Sequence, residues 1–170
     1  MRPIISIVGK TNSGKTTLIE KIIPELKKRG YKVGTIKHDV HGFEIDHEGK
    51  DTWRMTQAGA DSVVIASDKK LALIKNIVRL SFDELVEWLF PDVDIVITEG
   101  YKKQNKPKIE VTNNEQLLCT QNDNLIAVVF NNKQSTINYQ LSTNLNVPCF
   151  TIDDIENIVN LIEEKFLERR

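Results

Sequence analysis

The chain has 170 residues, 40% of them hydrophobic and 28% charged, with 23 basic against 24 acidic side chains and a net charge of −1. This composition fits one folded domain over residues 1–170 and excludes a disordered tail, a collagen-like repeat and a small disulfide scaffold. It lacks the basic excess of a dedicated nucleic-acid binder, and no apolar run reaches the ~18 residues that span a bilayer.

Only two cysteines occur, Cys119 and Cys149, in no CxxC pattern, so both are expected as free thiols in a reducing cytoplasm. A cytoplasmic protein with neither nucleic acid nor membrane among its partners follows.

Taken in chain order, strand-like and helix-like runs alternate, which predicts an α/β fold with a mainly parallel central sheet. Pro3–Val8 is short and isoleucine-rich, as a buried strand requires. Leu18, Ile19, Ile22, Ile23 and Leu26 then recur at helical spacing, and Arg29-Gly30 closes that helix. Pro24 removes one backbone bond and predicts a kink. Tyr31–Ile36 reads as a second strand, Thr52–Ala58 as a short helix stopped by Gly59, and Ser62–Ser67 with Leu71–Lys75 as a hairpin. Ser81–Phe90 reads as a helix with Phe82, Leu85, Val86 and Leu89 inward. Asp94–Thr98, Lys108–Thr112, Leu125–Phe130 and Val147–Ile152 are the remaining strands. A last helix, capped by Asp153 or Asp154, carries Ile155, Ile158, Val159, Ile162 and Phe166 on one face.

Between the first strand and first helix stands Gly9-Lys10-Thr11-Asn12-Ser13-Gly14-Lys15-Thr16, a full match to G-x-x-x-x-G-K-[ST]. Glycines let successive N–H groups of such a loop turn toward an anion, and the following helix adds its positive end. Lys15 then reaches the β- and γ-phosphates, and the Thr16 hydroxyl is a Mg²⁺ ligand. With the strand before it and the helix after it, the motif predicts the three-layer α/β/α architecture of P-loop NTPases.

A metal-side carboxylate should stand at the carboxyl end of a neighbouring strand. Asp94 and Glu99 flank Ile95-Val96-Ile97-Thr98, about 16 Å apart. Asp94 is at the wrong end, so Glu99 is the expected ligand of Mg²⁺ or water. Gly100 follows and allows backbone approach to a phosphate.

All three histidines, His38, His41 and His47, lie in one acidic stretch with Asp39, Glu44, Asp46, Glu48 and Asp51. It reads as a loop that senses the γ-phosphate or holds a second substrate. A zinc site and a plain solvated loop are the alternatives. Tyr101–Lys108 sets Lys102, Lys103, Lys106 and Lys108 directly after Glu99-Gly100, as a solvated charge run or as an anion-capturing loop. Asn132-Lys133 resembles the start of the guanine-reading N-K-x-D, but Ser135 stands where the aspartate belongs. From these residues guanine and adenine are equally open.

The chain resembles the molybdopterin-guanine dinucleotide biosynthesis protein B (MobB) family. The likeness lies in the phosphate loop with Thr16-Thr17, in Lys37-His38, in Gly49-Lys50-Asp51-Thr52 and in Ala58-Gly59-Ala60. It continues through Glu99-Gly100-Tyr101-Lys102 and Lys108-Ile109-Glu110-Val111. The resemblance implies a homodimer that binds GTP and Mg²⁺ and hydrolyses GTP slowly at best. It implies an adaptor role beside the guanylyltransferase that joins GMP to molybdopterin, with a molybdopterin-type pterin as a further ligand. The nucleotide-binding set it implies is Gly9, Thr11–Thr17, Lys37, His38, Asp46, Lys50, Gly100 and Lys102, with Lys15 and Glu99 as the catalytic pair. Two other readings stand beside it, a P-loop small-molecule kinase or ligase and a GTPase that delivers metal. Few internal arginines, Arg29, Arg54 and Arg79, argue against efficient phosphoryl transfer.

Overall fold

Five consecutive buried residues form the first strand, β1 (Ile4–Val8), and the glycine-rich loop leads from it into α1 (Lys15–Lys28). There follow β2 (Val33–Lys37), α2 (Asp51–Gln57), β3 (Ser62–Ala66), β4 (Leu71–Lys75) and α3 (Phe82–Leu89). The chain continues through β5 (Ile95–Glu99), β6 (Lys108–Thr112), β7 (Leu125–Phe130), β8 (Cys149–Thr151) and a last helix, α4 (Ile155–Phe166). This computed structural model describes residues 2–39, 42–76, 80–113, 117–120, 123–131 and 146–168.

Two compact units result, one of Met1–His38 with Leu85–Arg170 and one of Asp39–Glu84. The first holds a six-stranded sheet in the order β2-β5-β1-β6-β7-β8. Every pairing in it is parallel. The expected α/β class and parallel sheet are therefore present.

One sheet face carries Ile5, Ile7, Ile97, Ile109, Val111 and Val129, packed with Leu18 and Ile22 of α1 and Ile158 and Ile162 of α4. Full burial of each such side chain contributes roughly 1.5–3 kcal/mol. The opposite face is covered by different means. Cys119 packs on Val8, Val128 and Phe130. Phe90, at the end of α3, lies against Gly34 of β2, where a Cβ would come within 2.5 Å of its ring. That close approach is why a glycine interrupts the strand.

Helix α1 runs through Pro24 to Lys28 without a break and ends where its sequence says it should. Gly30 takes φ +88. The Gly30 amide donates to Lys27 and the Tyr31 amide to Leu26, at 3.0 and 3.1 Å. These two bonds make a Schellman cap, in which the residue after the glycine packs back on the helix. Tyr31 is thus the cap's apolar partner, so β2 begins at Val33 and not at Tyr31. Helix α2 ends the same way on Gly59, its amide donating to Thr56 and that of Ala60 to Met55.

Leu89, expected inward, is 40% exposed. Phe82 and Val86 form the covered stripe of α3, and Phe90 beyond the helix takes the inward place instead. The Asp154 side chain caps no helical amide. It accepts from the Thr151 amide and hydroxyl, both at 2.7 Å, and so holds the turn between β8 and α4.

In the second unit β3 and β4 pair antiparallel, Ser62 opposite Lys75 through Ala66 opposite Leu71. The Ser67 amide closes the turn on Lys70 at 2.8 Å. Among the described residues, no helix is long and apolar enough to cross a membrane.

Candidate nucleotide-binding site

Because β1 lies between β5 and β6, three strand ends converge where the chain turns into α1. The turn is possible only with its glycines. At Gly9 (φ +152) a Cβ would lie 2.2 Å from the Val111 carbonyl oxygen and 2.5 Å from Ser13 Oγ. Gly14 takes φ +101 as the residue before α1, and its carbonyl accepts the first helical bond, from Leu18 at 2.9 Å. Asn12 is also left-handed, at φ 61. The Ser13 amide donates to Lys10 at 3.3 Å, and Lys15 Nζ reaches the same carbonyl at 2.8 Å. The Ser13 hydroxyl is buried and finds no partner among the described residues. Thr11 and Thr17 are exposed beside it.

Glu99 ends β5 at the carboxyl edge, and the Thr16 hydroxyl donates to its Oε2 at 2.7 Å. Lys37, at the end of β2, stands 3.8 Å from its other oxygen. Asp94 is at the far end of the same strand, where it accepts from the Lys32 amide at 2.7 Å. Strand direction thus separates the two acids as expected.

Gly100 (φ +93) donates its amide to Ile7 at 3.0 Å, and a Cβ there would lie 3.3 Å from His38 Cβ. The His38 amide donates to the Glu99 carbonyl at 3.0 Å, and its ring lies 4.7 Å from that of Tyr101. Burial pushes the Tyr101 hydroxyl above its ordinary pKa. Thr16, Lys37, His38, Glu99 and Gly100 are thereby held within one connected set of contacts, and Lys15 precedes Thr16 in the chain with its ammonium on the Lys10 carbonyl. Lys102 is exposed next to them in sequence.

Asp46 and Lys50 belong to the second unit, where they make local hydrogen bonds. Asp46 Oδ1 accepts from the His47 amide at 2.9 Å and the Thr52 hydroxyl at 3.0 Å. The Lys50 amide donates to the His47 carbonyl at 3.1 Å. His41 and the Asn132-Lys133 to Ser135 stretch lie outside the described residues. Among the described residues no group of three or more His, Cys, Asp or Glu side chains is gathered as a metal site.

Lys108 departs from the expected lysine loop. It is 3% exposed, and its ammonium donates to the carbonyls of Gln104, Lys106 and Asp123. A charge so placed is neither solvated nor open to an anion.

The donors present suit a hard cation with a polyphosphate. A hydroxyl and a carboxylate 2.7 Å apart are oxygen ligands of the kind Mg²⁺ takes, and the neighbouring loop leaves no room for side chains at Gly9 and Gly14.

The family model described as molybdopterin guanine dinucleotide synthesis protein B matches residues 4–131. The Haemophilus influenzae molybdopterin-guanine dinucleotide biosynthesis adapter protein is 42% identical over 109 residues, 63% of this chain. That match spans only 61% of the Haemophilus protein's length. A Bacillus subtilis relative with the same name, marked probable, is 35% identical over 158 residues, 89% of this chain and 87% of that one. The crystal structure of Bacillus subtilis MobB aligns with a TM-score of 0.74 at 29% identity, over 98% of this chain and 99% of the other. On this match of sequence and fold, the chain belongs to the molybdopterin guanine dinucleotide synthesis protein B family.

Proposed function

We propose that this chain binds GTP with Mg²⁺ in the cradle between β1 and α1, and that it serves as an adapter in molybdopterin guanine dinucleotide biosynthesis. Its partner in that reading is the guanylyltransferase that joins GMP to molybdopterin. The adapter role rests on the names of its relatives.

The observation that carries the nucleotide reading is the contact between Thr16 and Glu99, two oxygen ligands brought together from positions 83 residues apart. Thr16 and Glu99 would hold the cation, and Lys15 would leave the Lys10 carbonyl for a phosphate. The bound cation would supply charge neutralisation between the β- and γ-phosphates. His38 and Lys37 line the edge where the γ-phosphate would lie.

Slow hydrolysis is consistent with the state of Arg29, which is engaged by Glu25, Asn160 and Glu163 where α1 meets α4. It is thereby withheld from any transferring phosphoryl group.

A homodimer is part of the same reading. The second unit exposes Phe43 and Ile45, each 72%, together with Val64, Ile65 and Leu71. A two-stranded hairpin is marginal alone, and a second copy would cover these side chains.

Calorimetric titration of the protein with GTP and MgCl₂ tests the nucleotide site. Wild type should bind and Lys15→Ala should not, with its melting temperature unchanged. Equal binding by both would remove the cradle from the reading. Addition of the protein to purified guanylyltransferase, GTP and molybdopterin should raise dinucleotide yield, and an unchanged yield would reject the adapter role.

A further inference from the structure

The Asn12–Ser13 peptide is gripped at both ends. Its N–H donates to Lys10, and its carbonyl oxygen accepts from Asn113 Nδ2 at 3.3 Å. Asn113 is not part of the loop. It is the first residue beyond β6, the strand whose Val111 carbonyl backs onto Gly9. Asn12 needs the support. It is the one loop residue in the left-handed region that carries a side chain, at φ 61. Asparagine tolerates that region better than most residues, yet it still prefers others. Rotation of this peptide would break the Ser13–Lys10 bond and shift the backbone that leads into Gly14 and the start of α1.

We propose that Asn113 is a positioning residue for the phosphate loop: its carboxamide holds Asn12 left-handed and so sets nucleotide affinity from outside the motif. The inference rests on the reading of this loop as the phosphate cradle. Asn113 acts through the backbone of Asn12, so its effect should disappear where that backbone needs no help. Glycine takes φ > 0 without a steric penalty. The Asn12→Gly background is therefore the discriminating one.

Four proteins are compared by calorimetry with GTP–Mg²⁺ and with pyrophosphate–Mg²⁺: wild type, Asn113→Ala, Asn12→Gly and the double variant. Loss of one hydrogen bond of ordinary strength corresponds to about a fivefold change in affinity. Asn113→Ala should weaken both ligands by roughly that factor, because the defect lies at the phosphates and not at the base. In the Asn12→Gly background the same substitution should change neither affinity. The melting temperature of the free protein monitors folding throughout.

An Asn113→Ala effect of equal size in both backgrounds would overturn the proposal and make Asn113 a direct ligand or a general support. No effect in either background would also overturn it. Lys15→Ala keeps the two failures apart. If Lys15→Ala binds GTP like wild type, the cradle reading itself has failed. If it does not bind and Asn113→Ala is normal, only the role of Asn113 has failed. Should Asn113→Ala fail to fold, Asn113→Ser, which keeps a hydroxyl donor on a shorter side chain, carries the same comparison.

Discussion

Lys108 and Glu110 stand two residues apart on one face of β6, and each buried charge is held by backbone groups of irregular segments. The ammonium donates to the carbonyls of Gln104 (2.8 Å), Lys106 (3.2 Å) and Asp123 (2.8 Å). The carboxylate of Glu110, 1% exposed, accepts from the amides of Leu118 (2.6 Å) and Cys119 (2.8 Å). Loops over a sheet face carry backbone groups that no ladder satisfies, and a side chain of the right sign can satisfy them.

Glu110→Gln should therefore destabilise the protein by about 1–3 kcal/mol, since the amide can accept but brings a donor toward two N–H groups. Denaturant unfolding checks this. Lys108→Met should cost at least as much, because three carbonyls lose one donor. Full stability of either variant would mean that the loops find other partners.

Glu99→Gln and Asp94→Asn divide the two ends of β5. Glu99→Gln should lower affinity for GTP in the presence of Mg²⁺ by about tenfold, the loss of one charged ligand of roughly 1.4 kcal/mol. GTP binding in EDTA should change far less. Asp94→Asn should leave both unchanged, because Asp94 bonds Lys32 at the opposite end. Titrations with and without metal give the answer, and a Mg²⁺-specific loss in Asp94→Asn would invert the assignment.

Gly9→Ala should abolish nucleotide binding. A Cβ at that position would be 2.2 Å from the Val111 carbonyl oxygen, which is backbone and cannot step aside. The left-handed φ of +152 adds strain for any L residue. The melting temperature should fall as well, by roughly 2–4 °C for each kcal/mol lost. Gly30→Ala, with open space around its Cβ, should cost only the conformational term, about 1 kcal/mol.

Cys119 should be chemically silent in the native protein. Burial pushes its thiol up to about 12, with the Glu110 carboxylate adding to the shift. At pH 8 the thiolate fraction is then on the order of one in ten thousand. A thiol pKa raised on folding stabilises the native state below the unfolded value and loses that contribution as pH rises toward the folded one. Alkylation by iodoacetamide at pH 8, followed by mass spectrometry, should label Cys119 only in denaturant. Burial also raises Cys149, which should react more slowly than a free thiol.

Much of this architecture was legible in the amino-acid order. β6 and β7 fall on their expected residues: Leu125–Phe130 is a continuous apolar run, as a strand buried on both faces requires, while Lys108–Thr112 alternates polar and apolar side chains at the period of a strand. Strand direction alone places Glu99, and not Asp94, at the end of β5 that faces the loop. The failures have one physical origin, contacts between segments distant in sequence. Lys108 looked like part of a charge run, and nothing local shows that Gln104, Lys106 and Asp123 aim three carbonyls at it. Asn113 carries no motif, and its bond to Asn12 spans 101 positions. Leu89 followed the helical period of α3, but Phe90 fills the space on Gly34 that the period assigned to it. Asn131 belongs to no motif, yet its Nδ2 would lie 2.7 Å from a Cβ on Gly14.

The central place of β1 has a consequence for synthesis on the ribosome. A nascent chain that has emerged only as far as residue 90 displays the complete glycine-lysine signature, but neither of the strands that flank β1 in the finished sheet. Glu99 and the Val111 carbonyl have not yet emerged to shape the loop. The ability to capture nucleotide should therefore switch on only after Thr112 has left the exit tunnel, which makes ligand capture a timer for completion of the sheet's middle.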